Sequence, residues 1–271
     1  MDPSTLIWAL HPAAVSVYPF AHVEQARALP TPYYAELAAT FPSLAVVAEG
    51  TARLESNVAV RLNALRALSL DGLSAAWRRF FEYHVSGEYW LQVVRVFGRH
   101  LRTAFPHLEE KVGRSFEDWR VGVRGSDADL DLRLDCQFVM NTPVTRPGSV
   151  KTPHVDKYDK IFSALFYMRE EEDRSAGGDL DLYRWRCAPR FVRHRVLPDD
   201  VEHVKTIRYA PNTYVAFVNS PQSVHGVSAR AITSVPRRYV NFIAEVPVRA
   251  FEPAQVRGVR RLWHGWRLAD D

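Results

Sequence analysis

Residues 154–168 read HVDKYDKIFSALFYM, and residues 223–227 read SVHGV. Together these two stretches decide how the second half of the chain is interpreted. In an extended segment, side chains two residues apart emerge on the same face. His154 and Asp156 can therefore converge on one ion while Val155 points away. A second histidine, His225, would have to come from a neighbouring strand.

The three residues have the types and the order of a facial iron site. Fe(II) in oxygenase chemistry takes two neutral imidazoles and one carboxylate on one octahedral face, and keeps the opposite face open for a co-substrate and O2. A lone His-x-Asp pair is common by chance in a chain with 10 histidines. The interpretation therefore depends on the pattern around it.

That pattern is one of short strands. Residues 130–140 alternate apolar and polar side chains and end at Asn141-Thr142-Pro143, where proline cannot extend a central strand. Further strands are predicted at 161–168, at 179–183 after an acidic loop and Gly177-Gly178, at 213–219 and from 237. About eight strands between Trp119 and Val246 predict two facing antiparallel sheets in a jelly roll, a double-stranded β-helix. Residues 142–153 are predicted to form a loop over the metal mouth.

The first part of the chain has helical patterns. Helices are predicted at 32–39, with Thr31 as the N-cap, at 74–81 and at 88–105. In the last of these, one apolar face is predicted from the spacing of Leu91, Val94, Phe97 and Leu101. We expect the helices to pack on one sheet, which gives an α+β fold in one integrated domain. Its parts are a mainly helical support region (1–118), the jelly-roll core (119–246) and a basic, aromatic tail (247–271).

Within that tail, Val259, Leu262, Trp263 and Trp266 recur at helical spacing. The tail is predicted to dock on the helical half of the chain. A dimer contact and an association with an acidic membrane surface are the alternatives.

Taken in order, these motifs resemble the 2-oxoglutarate- and Fe(II)-dependent oxygenases, in particular the branch with the prolyl hydroxylases and related bacterial enzymes. The matching run is His-x-Asp, a strand ending in tyrosine, an acidic loop, Gly-Gly-x-Leu, a strand ending in Phe-x-Asn, His-x-Val and Arg-Tyr. It covers roughly residues 130–246.

The resemblance implies that His154, Asp156 and His225 bind Fe(II). It also implies that Tyr167 touches a carboxylate of 2-oxoglutarate through its hydroxyl, although a core aromatic is the other interpretation of this residue.

The resemblance further implies that Arg238 pairs with the distal carboxylate of 2-oxoglutarate, because a guanidinium binds a carboxylate through two parallel donors. Arg238 is preferred because it directly precedes the aromatic of the strand and shares strand parity with Val240 and Phe242. Arg230 is a rival, and Arg237 takes the role if that face is not the inner one.

With O2 as the other co-substrate, the implied reaction is hydroxylation of a C–H bond with release of succinate and CO2. The substrate is expected to be a small metabolite, such as a sugar, amino-acid or natural-product intermediate. Related halogenases have a small residue in place of the carboxylate, so Asp156 favours hydroxylation and leaves desaturation, cyclisation and epimerisation open. The alternative is a cupin-like binding or regulatory protein without catalysis.

Composition is compatible with an ordinary enzyme. Of the 271 residues, 47% are hydrophobic, which is ample for a core, and there are two cysteines. With no apolar run of membrane-spanning length and no signal peptide, we expect a cytoplasmic protein. The arginine bias indicates a GC-rich bacterial genome. The net charge of +4 is spread along the chain, so we expect neither nucleic acid nor membrane as a partner, and a monomer or homodimer. Two local basic stretches, 184–195 and 257–267, are interpreted as solvated faces, with an anionic substrate or a partner as alternatives.

Overall fold

The structure is a computed structural model that describes residues 5–51, 54–126, 128–191, 196–252 and 254. Most of the tail, including Val256–Leu268, and residues 192–195 of the first basic stretch lie outside the described residues. At the described start of the tail, the Phe251 ring lies 5.6 Å from the Tyr158 ring and 6.4 Å from the Phe105 ring of the helical half.

Helices within the described residues occupy the first half of the chain. They are α1 (Thr31–Ala39), α2 (Leu44–Val47), α3 (Ala64–Leu68), α4 (Ala75–His84), α5 (Gly87–Ala104) and α6 (Leu108–Val112). Short 3-10 turns lie at Pro12–Ala14, Phe116–Asp118 and Pro198–Asp200. The hydroxyl of Ser74 caps α4 by accepting from the Trp77 N–H. Thr31 was expected to cap α1, but the helix already includes it and the cap position falls on Pro30. No described helix combines the length and the apolar character that a membrane crossing needs.

The described strands form two sheets. They are β1 (His22–Ala26), β2 (Ala59–Leu62), β3 (Val121–Val123), β4 (Leu132–Asn141), β5 (Lys160–Tyr167), β6 (Leu180–Trp185), β7 (Val201–Ile207), β8 (Thr213–Val218), β9 (His225–Val227) and β10 (Arg237–Glu245). The major sheet has the order β1-β8-β5-β10-β4-β2, with β3 parallel to β4, and the minor sheet has the order β7-β6-β9. An isolated bridge between His154 and His225 continues the minor sheet beyond β9.

Following the chain shows the jelly roll. From β4 it passes to the His154 bridge of the minor sheet, returns to the major sheet in β5, and then forms β6 and β7 of the minor sheet. It continues through β8 in the major, β9 in the minor and β10 in the major sheet. The predicted α+β fold with a double-stranded β-helix is therefore confirmed. The edge strands β1 and β2 were not predicted, and they lie in the region expected to be mainly helical.

Each face of the major sheet is buried against a different partner. Alternate residues of its strands, such as Phe138, Phe166 and Phe242, share a core with α4 and α5. The residues between them, such as Val139, Val215 and Tyr239, pack with the minor-sheet residues Leu180, Leu182 and Ile207. The N-terminal helices therefore cover the outer face of the major sheet, and its inner face lines the interior of the roll. This two-sided burial explains why β4 is buried almost throughout although its sequence alternates.

The apolar face of α5 differs slightly from the predicted one. Val94, Phe97 and Leu101 are buried as expected, but Leu91 is 46% exposed and Trp90 is buried in its place. The Trp90 ring stacks on Trp119 at 5.8 Å, so an aromatic contact from the loop after α6 sets the rotation of the helix.

Gly177 allows the minor sheet to start where it does. Its φ is +79°, and a Cβ there would lie 1.8 Å from the carbonyl oxygen of Ala229. Gly113, at the C-terminal end of α6, has a similar φ of +81° but open space around it.

We expect Gly113→Ala to lower the free energy of unfolding by about 1 kcal/mol, the cost of the backbone conformation alone. Gly177→Ala should lower it by about 3 kcal/mol or more, because the clash with backbone adds to that cost. Urea denaturation of both variants measures the difference. Equal losses would contradict the close approach at residue 177.

Candidate metal centre

Two histidines meet because their backbones pair directly. The His154 N–H donates to the His225 carbonyl at 2.9 Å, and the His225 N–H donates to the His154 carbonyl at 2.9 Å. Residues paired in this way across antiparallel strands project their side chains to the same face of the sheet. The two imidazole ring centroids lie 4.3 Å apart. The expectation that a neighbouring strand delivers the distal histidine is thus met by β9.

Backbone carbonyls orient both imidazole rings. The Nδ1 of His154 donates to the Thr152 carbonyl at 2.8 Å, and the Nδ1 of His225 donates to the Ser223 carbonyl at 2.9 Å. A carbonyl can only accept, so each Nδ1 carries the proton and each Nε2 presents a lone pair. The Nε2 of His154 is buried without a hydrogen-bond partner in the described structure. Such an atom is costly unless a ligand satisfies it.

Asp156 supplies the third ligand atom. Its Oδ2 accepts a hydrogen bond from the Ser163 hydroxyl at 2.7 Å, and its Oδ1 lies 3.9 Å from the His154 Nε2. One ligand atom from each of His154, Asp156 and His225 lies within 4.8 Å of the others. Two imidazole nitrogens and one carboxylate oxygen, with a free Nε2 among them, fit the facial donor set of Fe(II).

The electrostatics hold each ligand in its metal-binding form. Burial lowers the pKa of His154 well below its usual range, and the nearby charge of Lys151 lowers it further. Burial also lowers the pKa of His225. Burial by itself would raise the pKa of Asp156, but Lys160 and Lys151 outweigh it and hold that pKa well below its usual range. Both imidazoles are therefore neutral and the carboxylate is ionised at neutral pH, as coordination requires.

The triad opens into a cleft with a cavity volume of about 340 Å³. Apolar side chains cover one part of its wall, namely Leu165, Leu180 and Phe217. A second part of about 500 Å³ adjoins it and is lined by residues 149–152 and by β2. Of the predicted loop 142–153, residues 149–152 border the cleft.

Arg237 lies on the inner face of β10 and lines this cleft. Its guanidinium is surrounded by the rings of Tyr239, Tyr209 and Tyr167, at 4.5, 4.8 and 5.2 Å from the ring centroids. The Nε donates to the Gly178 carbonyl at 2.7 Å, and the Nη1 donates to Asn141 Oδ1 at 3.2 Å. The Nη2 is buried and has no partner in the described structure.

Gly178 makes room for this arginine. Its φ is +76°, and a Cβ there would lie 3.1 Å from the Cδ of Arg237. The Gly-Gly pair noted in the sequence therefore has two separate functions: Gly177 accommodates the backbone of Ala229, and Gly178 accommodates the Arg237 side chain.

Arg238 was expected to pair with the distal carboxylate of 2-oxoglutarate, but it does not line the cleft. Its Nε donates to the Met168 carbonyl at 2.6 Å, its Nη1 pairs with Glu170 at 3.1 Å, and its guanidinium lies over the Phe41 ring. The parity shared with Val240 was misinterpreted, because that apolar face packs on the helices and not on the interior of the roll.

Arg230, the other rival, is occupied elsewhere. It is 1% exposed, and its Nη2 pairs with Asp173 at 2.9 Å while its Nε donates to the Ser175 hydroxyl at 3.1 Å. This buried pair anchors the acidic loop, and Arg230 is not among the residues that line the cleft.

Tyr167 is fully buried next to Arg237, and its hydroxyl has no partner in the described structure. It does not line the cleft itself. Its ring forms one side of the aromatic surroundings of Arg237.

Several site residues could not be singled out from the sequence. Ser163, Lys151 and Lys160 surround Asp156, and Arg61 approaches the cleft from the unpredicted strand β2. The sequence offered one indication for Ser163, because it lies on the same face of its predicted strand as Tyr167. The lysines carry no such pattern.

The hydroxyl of Ser163 should influence metal affinity by holding Asp156. Removing a hydrogen bond to a metal ligand typically lowers metal affinity by about ten- to a hundredfold. We expect Ser163→Ala to weaken Co(II) binding by at least about tenfold, measured by competition with a chromophoric chelator. Ser126→Ala is the control, because that hydroxyl donates only to the Val123 carbonyl. Equal affinities in the two variants would contradict the role of Ser163.

No protein-family description matches the chain, and a search of curated proteins found no match. The structure is similar to a prolyl-4-hydroxylase from Pseudomonas putida (16% identity, 86% of this chain and 98% of that chain covered, TM-score 0.43). It is also similar to an oxidoreductase of the 2OG-Fe(II) oxygenase family from Burkholderia pseudomallei (13%, 86% and 86%, 0.41) and to the dioxygenase for auxin oxidation 1 from Arabidopsis thaliana (12%, 89% and 89%, 0.42).

Proposed function

We propose that this protein is an Fe(II)- and 2-oxoglutarate-dependent dioxygenase that hydroxylates a C–H bond of a small molecule, with release of succinate and CO2. One observation carries the proposal. The His154, Asp156 and His225 ligand atoms and the unpaired Nη2 of Arg237 belong to residues that line a single cleft. A metal would satisfy the ligand atoms of the triad, and a dicarboxylate bound beside it would satisfy the Nη2 of Arg237.

The Nε2 atoms of the two histidines and the Oδ1 of Asp156 would hold the iron. When bound, the iron supplies the activation of O2 that couples oxidation of 2-oxoglutarate to oxidation of a C–H bond. The protein orients the ligands through hydrogen bonds. The Thr152 and Ser223 carbonyls accept from the imidazoles, and the Ser163 hydroxyl donates to the Asp156 carboxylate. With the three protein ligands on one side, the metal would stay accessible from the cleft for 2-oxoglutarate and O2.

Arg237 would bind the distal carboxylate of 2-oxoglutarate. Its free Nη2 donates a charge-assisted hydrogen bond, while Gly178 and Asn141 hold the rest of the guanidinium in place. Tyr167, whose hydroxyl is also unpaired, would donate to the same carboxylate. Leu165, Leu180 and Phe217 would exclude water from the space between arginine and metal.

The reaction itself is tested by measuring succinate. We expect the protein, supplied with Fe(II), ascorbate, O2 and 2-oxoglutarate, to release succinate slowly without substrate, and not when Fe(II) is omitted. Asp156→Ala should abolish this release because the charged ligand is lost. A wild-type protein that binds metal and 2-oxoglutarate but never forms succinate would instead support a binding or regulatory protein.

Metal binding should require both histidines. We expect His154→Ala and His225→Ala to lose the one Co(II) that the wild-type chain binds, because each removes one of three protein ligands. His203→Ala is the control: this histidine lies 3.3 Å from Asp181 outside the cleft, and its loss should leave the metal content unchanged. Metal analysis of purified proteins, with circular dichroism to verify folding, decides the question. Stoichiometric metal in both triad variants would rule out the assignment.

Substitution of two neighbouring arginines tests which of them binds 2-oxoglutarate. Arg237→Gln should weaken 2-oxoglutarate binding by about one to two orders of magnitude, since a hydrogen bond to a charged group contributes roughly 1.5 to 3 kcal/mol. Arg238→Gln should leave that affinity within about twofold, because its guanidinium is bound to Met168 and Glu170. Calorimetry on the Co(II)-loaded proteins measures both. The reverse pattern would return the role to Arg238.

A further inference from the structure

The cleft contains more positive charge than iron and 2-oxoglutarate can account for. Its first part is lined by six cationic side chains and one carboxylate, Asp156. The adjoining part adds no carboxylate among the described residues that line it. The cations are Arg61, Arg124, Lys151, Lys157, Lys160 and Arg237.

Two of the six cations have other partners. Arg124 pairs with Glu245 at 2.9 Å and with Asp135 at 3.6 Å, and Arg237 is assigned to 2-oxoglutarate. Four cations then remain: Arg61, Lys151, Lys157 and Lys160.

A bound metal and co-substrate leave this excess in place. The two charges of Fe(II) are balanced by the two carboxylates of 2-oxoglutarate, and Asp156 balances Arg237. The ammonium groups of Lys151 and Lys160 lie 3.6 and 3.8 Å from the Asp156 Oδ1. Once that oxygen coordinates a dication, it can no longer serve as their counter-charge. Like charges gathered in one cleft create a positive potential that raises the local concentration of anions.

Arg61 and Lys151 lie where the two parts of the cleft meet, since both residues line both parts. The Lys151 side chain is 46% exposed and accessible from solvent. The other walls of the outer part are polar or small, with Asn57, Ser149 and Thr152 offering hydrogen bonds. Volumes of about 340 and 500 Å³ are in the size range of small-molecule sites.

We propose that the substrate is a small anionic molecule, a carboxylic acid or a phosphate ester, whose anionic group is bound by Arg61 and Lys151 beside the metal. This inference rests on the proposed function, because it assigns the substrate class of the same cleft. Since Lys151 lies 3.6 Å from a ligand oxygen, the oxidised C–H bond is close to the anionic group in the substrate.

Binding is tested with three small aromatic probes. Benzoate and phenyl phosphate carry the two kinds of anion, and benzamide is the neutral counterpart of benzoate. We titrate each into wild-type protein loaded with Co(II) and saturated with 2-oxoglutarate, so that the metal and Arg237 are already occupied. We expect at least one anion to bind at least about tenfold more tightly than benzamide. The preferred anion distinguishes a carboxylate substrate from a phosphate substrate.

Variants locate the anion. Arg61→Gln and Lys151→Gln should each weaken binding of the preferred anion by about tenfold, the effect of one lost charged hydrogen bond. Arg66→Gln is the matched control, because Arg66 pairs with Glu49 on the surface and does not line the cleft. The affinity for 2-oxoglutarate should stay within about twofold in Arg61→Gln.

Three results would overturn the proposal: equal binding of benzamide and the anions, anion binding that disappears when 2-oxoglutarate is saturating, or an unchanged affinity in Arg61→Gln. Preferential binding of a short oligonucleotide would also overturn it in favour of a nucleic-acid substrate. If 2-oxoglutarate itself fails to bind the Co(II)-loaded wild type, the proposed function fails. If it binds and the anions do not, only the substrate class fails.

Discussion

The burial of strand β10 on both faces is the constraint on which the rest of the site depends. β10 pairs with β4 on one side and with β5 on the other, so its backbone is satisfied and its side chains alternate between two environments. Val240 and Phe242 extend the core shared with the helices. Arg237, Tyr239 and Asn241 line the interior of the roll. A shift of one residue in this register would replace Arg237 in the cleft by Arg238, which now pairs with Glu170.

A second constraint is the antiparallel pairing of His154 with His225. Two reciprocal backbone hydrogen bonds place the histidines opposite each other, and two carbonyls fix their tautomers. The geometry of the ligands thus comes from main-chain atoms of the minor sheet, and Asp156 is positioned from the major sheet through Ser163. The candidate metal site is built from both sheets, so its three residues come together only in the closed roll.

Burying an arginine is costly unless its donors are satisfied. Two hydrogen bonds and three tyrosine rings stabilise the buried guanidinium of Arg237, yet its Nη2 remains unpaired. Arg230 pairs with Asp173, also leaves one guanidinium nitrogen, its Nη1, unpaired, and does not line the cleft. The two arginines therefore differ in their position relative to the cleft and in the carboxylate that Arg230 already binds. The same consideration applies to the cationic groups around Asp156, whose only carboxylate partner in the cleft is the one that the metal would take.

From the sequence the candidate triad was predicted together with the jelly roll and its strands, because residue order and period-two alternation are local properties of the chain. The tertiary structure alone decided which face of β10 is the inner one. Arg237 shares strand parity with the buried Tyr239 and Arg238 with the buried Val240, and only the packing of α4 and α5 against Phe242 makes the face of Arg238 the outer one. Strand β2 and Arg61 likewise enter the site through pairing with β4, a contact distant in sequence. Lys151, Lys157 and Lys160 lie beside the His-x-Asp pair in the sequence, but Arg61, Arg124 and Arg237 are distant from them, so only the fold shows that all six line one cleft.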